Sequence, residues 1–179
     1  MPYLVYASKE HTDACRGGPM PYHLRRTDRA IADPLEVDAL IRSGRYCAIA
    51  LVDGEEPYVV TMNYGYDDSA NRLYFHVAKQ GHKLDIIARN PRACATIVEE
   101  HGYTTGACEH PYKSVVLRGM MRVVVDLDEQ RRALRVLVGH QEDEPEVYWA
   151  SRGLDEERHY GRFTALAFEI EHITAKEGS

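Results

Sequence analysis

The chain has 179 residues, and its 22 Lys and Arg against 28 Asp and Glu give a formal net charge of −6. That length suits a single core, and basic residues spread along the chain rather than gathered in a stripe argue against a nucleic-acid-binding surface. No apolar run approaches the ~20 residues that cross a bilayer, and residues 1–18, MPYLVYASKEHTDACRGG, lack a basic start followed by an apolar stretch, so a soluble cytoplasmic protein without a membrane partner is expected.

In chain order, residues 1–24 mix Gly, Pro and polar residues without a period and read as an N-terminal arm, with one domain over 25–179. Asp33 is placed to cap a first helix, Pro34 suits its first position, Leu35, Ala39 and Leu40 can share a face, and Ser43-Gly44 ends it. Three extended segments follow, 46–54, 57–66 and 72–78, joined by polar connections at 53–56 and 67–71, and they predict an antiparallel meander. A five-residue second loop would set Met62 opposite His76 and Val60 opposite Ala78 on one face.

A helix from about His82 to Asn90, with Leu84, Ile87 and Ala88 as its apolar face, closes the meander. Strands are then expected at 93–100 and 112–126, the latter with a bulge or bend at Gly119, followed by a helix with Leu134, Leu137 and Val138 inward that stops at Gly139. A short helix near 145–161 carries Tyr148 and Trp149, read as packing residues, and a final strand starts at Arg162. Five or six strands on short turns, with helices outside βαβ order, predict an α+β, mainly β, closed or nearly closed antiparallel barrel.

Cys15, Cys47, Cys94 and Cys108 are far apart and form no C-x-x-C pair, so they signal neither a disulfide framework nor a zinc knuckle. Cys108 and His110 alone do not complete a metal ligand set, and no metal is expected. The stretch HVAKQGHKLDIIARNP at 76–91 is more informative. The first amides of a helix have no intrahelical acceptor, Gly81 lets an anion approach them, and His82 and Lys83 add side-chain donors there. A phosphate fits that chemistry.

PYVVTMNYGY, LYFHVAKQGHKLDIIARNPRACATI and YKSVVLRGMMRVVVD, in that order, resemble the pyridoxamine 5′-phosphate oxidase-like FMN-binding split-barrel superfamily, and in particular its nitroimidazole-resistance branch. The likeness runs from about Arg25 to Lys176. It implies a six-stranded antiparallel split barrel with flanking helices, paired into a homodimer with FMN at the subunit boundary. It also implies that Tyr58, Val59, Val60, Thr61, Met62 and Asn63 line the flavin largely through backbone groups, that His76 and Val77 precede the phosphate loop, and that His82 and Lys83 form its clamp. Ser114 matches a polar residue that reaches the flavin of the partner subunit. His82 departs from the arginine of the family clamp, which removes a permanent charge and a forked donor.

The activity that the resemblance implies is an FMN-dependent oxidoreductase passing electrons to a small oxidised acceptor such as a nitroaromatic, with His76 as the candidate catalytic residue. Pyridoxamine-phosphate oxidation is not expected, because the chain ends FTALAFEIEHITAKEGS without the Trp and Arg/His substrate motif of members that perform it. Haem binding, a deazaflavin in place of FMN and a non-catalytic flavin-binding role are the alternatives.

Overall fold

The computed structural model describes residues 24–154 and 156–178. The arm expected over 1–24 therefore lies, up to residue 23, outside the described residues. The elements are α1 (Pro34–Ser43), β1 (Tyr46–Asp53), β2 (Glu56–Asn63), β3 (Gly65–Asp67), β4 (Arg72–Val77), α2 (His82–Arg89), β5 (Arg92–Glu100), β6 (Tyr112–Val124), α3 (Leu127–Gln141), α4 (Pro145–Arg152) and β7 (Thr164–Gly178). They form an antiparallel sheet of order β2-β1-β5-β6-β7-β4-β3. Among the described residues, no helix is long and apolar enough to cross a membrane.

Seven strands stand where six are expected, because the segment 57–66 breaks at Tyr64. Its first part pairs with β1 as far as Tyr46↔Asn63, and its second pairs with β4 from Gly65↔Tyr74. A single bent strand thus joins both ends of the sheet order and closes the barrel. The bend is fixed from inside: the Tyr64 ring is fully buried, and its hydroxyl donates to the Ile41 carbonyl of α1 at 2.5 Å. The observed pairing also corrects the expected register by one residue, since Gly65↔Tyr74 would carry Met62 toward Val77 rather than His76, and the ladder ends before either.

The core lies inside the barrel, with Ile49, Leu51, Phe75, Ile97, Leu117 and Phe168 each about 1% exposed or less. Helix α1 begins as expected, with Asp33 accepting from the Leu35 amide at 2.9 Å, but it buries Val37, Leu40 and Ile41. Leu35 is 78% exposed and Ala39 is exposed too, so the stripe facing the barrel is i, i+3, i+4 from Val37. In α2, Ile86 and Ile87 are buried, Leu84 is half-buried and Ala88 is exposed, a similar rotation of the inward face. The bulge expected near Gly119 is present as a register shift between Arg118 and Gly119 against β7.

Helix α3 is tied to the sheet by two ionic clusters at its N-terminal half. Glu129 accepts from Arg72 of β4 (2.8 Å), from Arg122 of β6 and from the Tyr74 hydroxyl (3.1 Å), and Glu169 of β7 accepts from the same two arginines. Arg132 holds Asp67 through two bonds of 2.6 and 3.0 Å. The Arg122 guanidinium keeps the Glu129 carboxyl below its ordinary range. Because the folded value is the lower one, this contribution to stability is fully present above the unfolded value of about 4.3 and is lost as pH falls through the folded value. Glu129→Gln is expected to lower the melting temperature at neutral pH and to flatten its fall between about pH 5 and 3. Parallel melting curves against pH for the two proteins would contradict this.

Candidate functional site

The bend at Tyr64 leaves a gap. Past it, β2 runs back along β1 alone, and β4 continues along β7 alone from Phe75 to Val77. The edges of Val60–Asn63 and of Phe75–Val77 therefore carry main-chain N–H and C=O groups outside any ladder, and an exposed strand edge is a ready acceptor and donor row. A cleft of about 520 Å³ lies there, lined by Val60, Thr61, Met62 and Asn63 of β2, by His76, Val77 and Ala78, by Lys83 of α2, and by Leu137, Gln141 and Glu142. That volume is within the range of small-molecule and cofactor sites.

The alternation along β2 explains why both kinds of residue line it. Val60 and Met62 pack inward against the core, whereas Thr61 and Asn63 stand on the exposed face. Across the gap, Val77 points into the core and His76 is exposed, its ring meeting Phe163 edge-on with centroids 5.3 Å apart. Lys83 brings the start of α2 to the cleft, and the turn into that helix is made at Gly81, whose φ of 149° and ψ of 156° are glycine's own region of backbone space. This residue turns the chain from β4 into α2, and the first hydrogen bond of the helix runs from Leu84 N to Gly81 O at 2.9 Å. The amides of His82 and Lys83 precede it and have no intrahelical acceptor.

Four of the sequence-predicted residues lie elsewhere in this chain. His82 is turned away from the cleft: its Nε2 lies 3.0 Å from Asp53 Oδ2, on the β1–β2 hairpin, and its ring meets Tyr58 edge-on at 5.4 Å. Arg89 holds the other oxygen of Asp53. Tyr58 is accordingly a neighbour of His82 rather than part of the cleft wall, and Val59 is 64% exposed on the outward face. Ser114 is buried on β6 opposite Val98 and Lys176, separated from β2 by β1 and β5. Lys83, in contrast, lines the cleft and has no ion-pair partner among the described residues.

The wall supplied by α3 escapes the sequence reading, which stops that helix at Gly139. The helix runs on to Gln141, and its spacing 137, 141, 142 brings Leu137, Gln141 and Glu142 to the cleft. Arg45 caps its end by donating to the carbonyls of His140 (2.9 Å) and Gln141 (2.6 Å). His140 is itself half-buried with Nε2 donating to Gly44 O at 2.7 Å; burial lowers its pKa, and the bond to Gly44 works against that shift. Trp149 is buried as a packing residue, with the Arg135 guanidinium 4.2 Å over its ring.

A family model described as pyridoxamine 5′-phosphate oxidase matches residues 33–177. No curated protein matches the chain significantly. Among solved structures, a candidate 5-nitroimidazole antibiotic resistance protein from Bacteroides thetaiotaomicron VPI-5482 is similar at 24% identity and TM-score 0.69, over 83% of this chain and 86% of that one. A FAD-binding protein from Mesorhizobium loti is similar at 23% identity and TM-score 0.56, over 84% and 96%. A FAD and heme binding protein from Mycobacterium smegmatis is similar at 17% identity and TM-score 0.66, over 84% and 74%. At these identities the likeness is one of fold.

Proposed function

The chain belongs to the pyridoxamine 5′-phosphate oxidase family, with its split-barrel fold, and from that premise we propose that it is a flavin-dependent oxidoreductase that binds FMN in the cleft between β2 and β4. The observation that carries the reading is the pair of unladdered strand edges facing one cleft beside a helix start with free amides and Lys83. A planar, hydrogen-bonding ring system matches the edges, and a phosphate matches the helix start. Lys83 and the amides of His82 and Lys83 hold the phosphate, and the main chain of Val60–Asn63 holds the ring. His82 contributes its amide there, since its imidazole is engaged with Asp53.

Bound there, the flavin supplies the two-electron or one-electron chemistry, and the protein fixes and screens it. His76 stands exposed on the cleft wall with its ring steadied by Phe163, so it is the group in position to hold or move a proton for a small acceptor. A nitroaromatic acceptor is favoured by the similarity to the resistance protein.

A homodimer completes the reading. The outward face of β2-β1-β5 exposes Val59 (64%), Tyr46 (62%) and Val98 (56%), an apolar surface suited to a second copy. We place the protein in the cytoplasm.

The test is the visible spectrum of the purified protein and mass analysis of the released chromophore, followed by anaerobic reoxidation with a nitroaromatic. A colourless protein that binds no added FMN would sink the reading. A Soret band on hemin titration, abolished by His76→Ala, would replace it with haem binding.

A further inference from the structure

We propose that Gln141 is a positioning residue for the bound flavin, acting through Asn63; the proposal rests on the flavin reading above. The Gln141 amide nitrogen donates to Tyr64 O at 2.7 Å and to Arg45 O at 3.2 Å. Both acceptors are carbonyls, so the nitrogen must face them and the Gln141 oxygen must face the other way. There it accepts from Asn63 Nδ2 at 3.5 Å. At 3.5 Å this is a long contact, and it favours the orientation of Asn63 that turns its nitrogen toward Gln141.

With its nitrogen turned toward Gln141, Asn63 presents its oxygen to a ligand, and Asn63 lines the cleft on the exposed face of β2. An acceptor at that point takes an N–H or hydroxyl, and FMN offers both in its ring imide and ribityl chain. Gln141 also answers a structural need at the bend. Tyr64 belongs to neither β2 nor β3, and Gln141 supplies the partner for its carbonyl. The residue that satisfies the carbonyl at the strand break therefore also aims the side chain beside it.

A double-mutant cycle separates these two roles. FMN is titrated into the full-length protein and into Gln141→Met, Asn63→Leu and the double variant, with melting temperatures measured in parallel. Each single substitution is expected to weaken FMN binding by about tenfold, the loss of one ligand hydrogen bond. The double variant should bind FMN no more weakly than Asn63→Leu alone, because Gln141 acts through Asn63. Gln141→Met should also lower the melting temperature, and Asn63→Leu should not. Multiplying losses in the double variant would overturn the proposal while leaving FMN binding standing. Unchanged FMN affinity in Asn63→Leu would overturn it even if Gln141→Met fails to fold. Absence of FMN binding by the unaltered protein would overturn both this proposal and the flavin reading.

Discussion

Lys83→Gln is expected to weaken FMN binding by about 10- to 100-fold, the equivalent of the ~1.5–3 kcal/mol that a hydrogen bond to a charged group contributes. Glutamine keeps most of the length and an N–H₂ donor group, so what it removes is chiefly the charge. The two other basic side chains on the same helix are already engaged, since Asp53 takes both His82 and Arg89. Lys83 carries no ion pair among the described residues, so its ammonium need not leave a carboxylate to reach an anion. Riboflavin, which lacks the phosphate, should bind the variant and the parent alike. Equal weakening of FMN and riboflavin would instead assign Lys83 to the ring or to the fold, and unchanged FMN binding would remove it from the site. His82→Gln, by the same reasoning, should change FMN affinity much less than Lys83→Gln does.

Gly65→Ala is expected to destabilise the protein by about 3 kcal/mol or more, near the upper end of overpacking costs. A Cβ at position 65 would lie 2.5 Å from Leu137 Cα and 2.6 Å from its nitrogen, and 2.7 Å from the Val136 carbonyl carbon. All three atoms belong to the backbone of α3, so relief requires moving the helix rather than turning a side chain. The helix is held at one end by the Glu129 and Asp67 clusters and at the other by Arg45, Gln141 and His140. Any shift carries Leu137, Gln141 and Glu142 away from β2 and widens the cleft. A fall in melting temperature of roughly 6–12 °C corresponds to that cost in a domain of this size. A melting temperature within about 2 °C of the parent would mean that α3 yields freely, and with it the argument for a fixed wall.

The features legible in the sequence are those whose causes are local. Asp33 before Pro34, Gly81 before His82 and the bulge at Gly119 each announce a backbone event at their own position, and the structure has all three. The cleft residues Val60–Asn63, His76, Val77 and Lys83 were legible because they fall in short motifs whose order along the chain matches a family. What was not legible depends on distant partners. The break at Tyr64 has a distant cause, a hydroxyl buried against the Ile41 carbonyl 23 residues away. Nothing in His82 reveals that Asp53 will claim it. Gly139 reads as a helix stop by its own chemistry, yet the next two residues stay helical because Arg45, Gly44 and Tyr64 supply partners for their groups. Leu35 satisfies helical spacing, but only the barrel decides which of two overlapping apolar stripes turns inward.

The facing rims of β2 and β4 also bear on how the chain survives in a crowded cell. Rows of unsatisfied peptide groups recruit foreign strands, the first step toward aggregation. Of the two rims, β2 carries Pro57, which offers no amide hydrogen to an intruder, but Val60 to Asn63 have no such guard. A ligand seated between these rims, as proposed above, would cover them, so that its supply would bear on solubility as well as on chemistry.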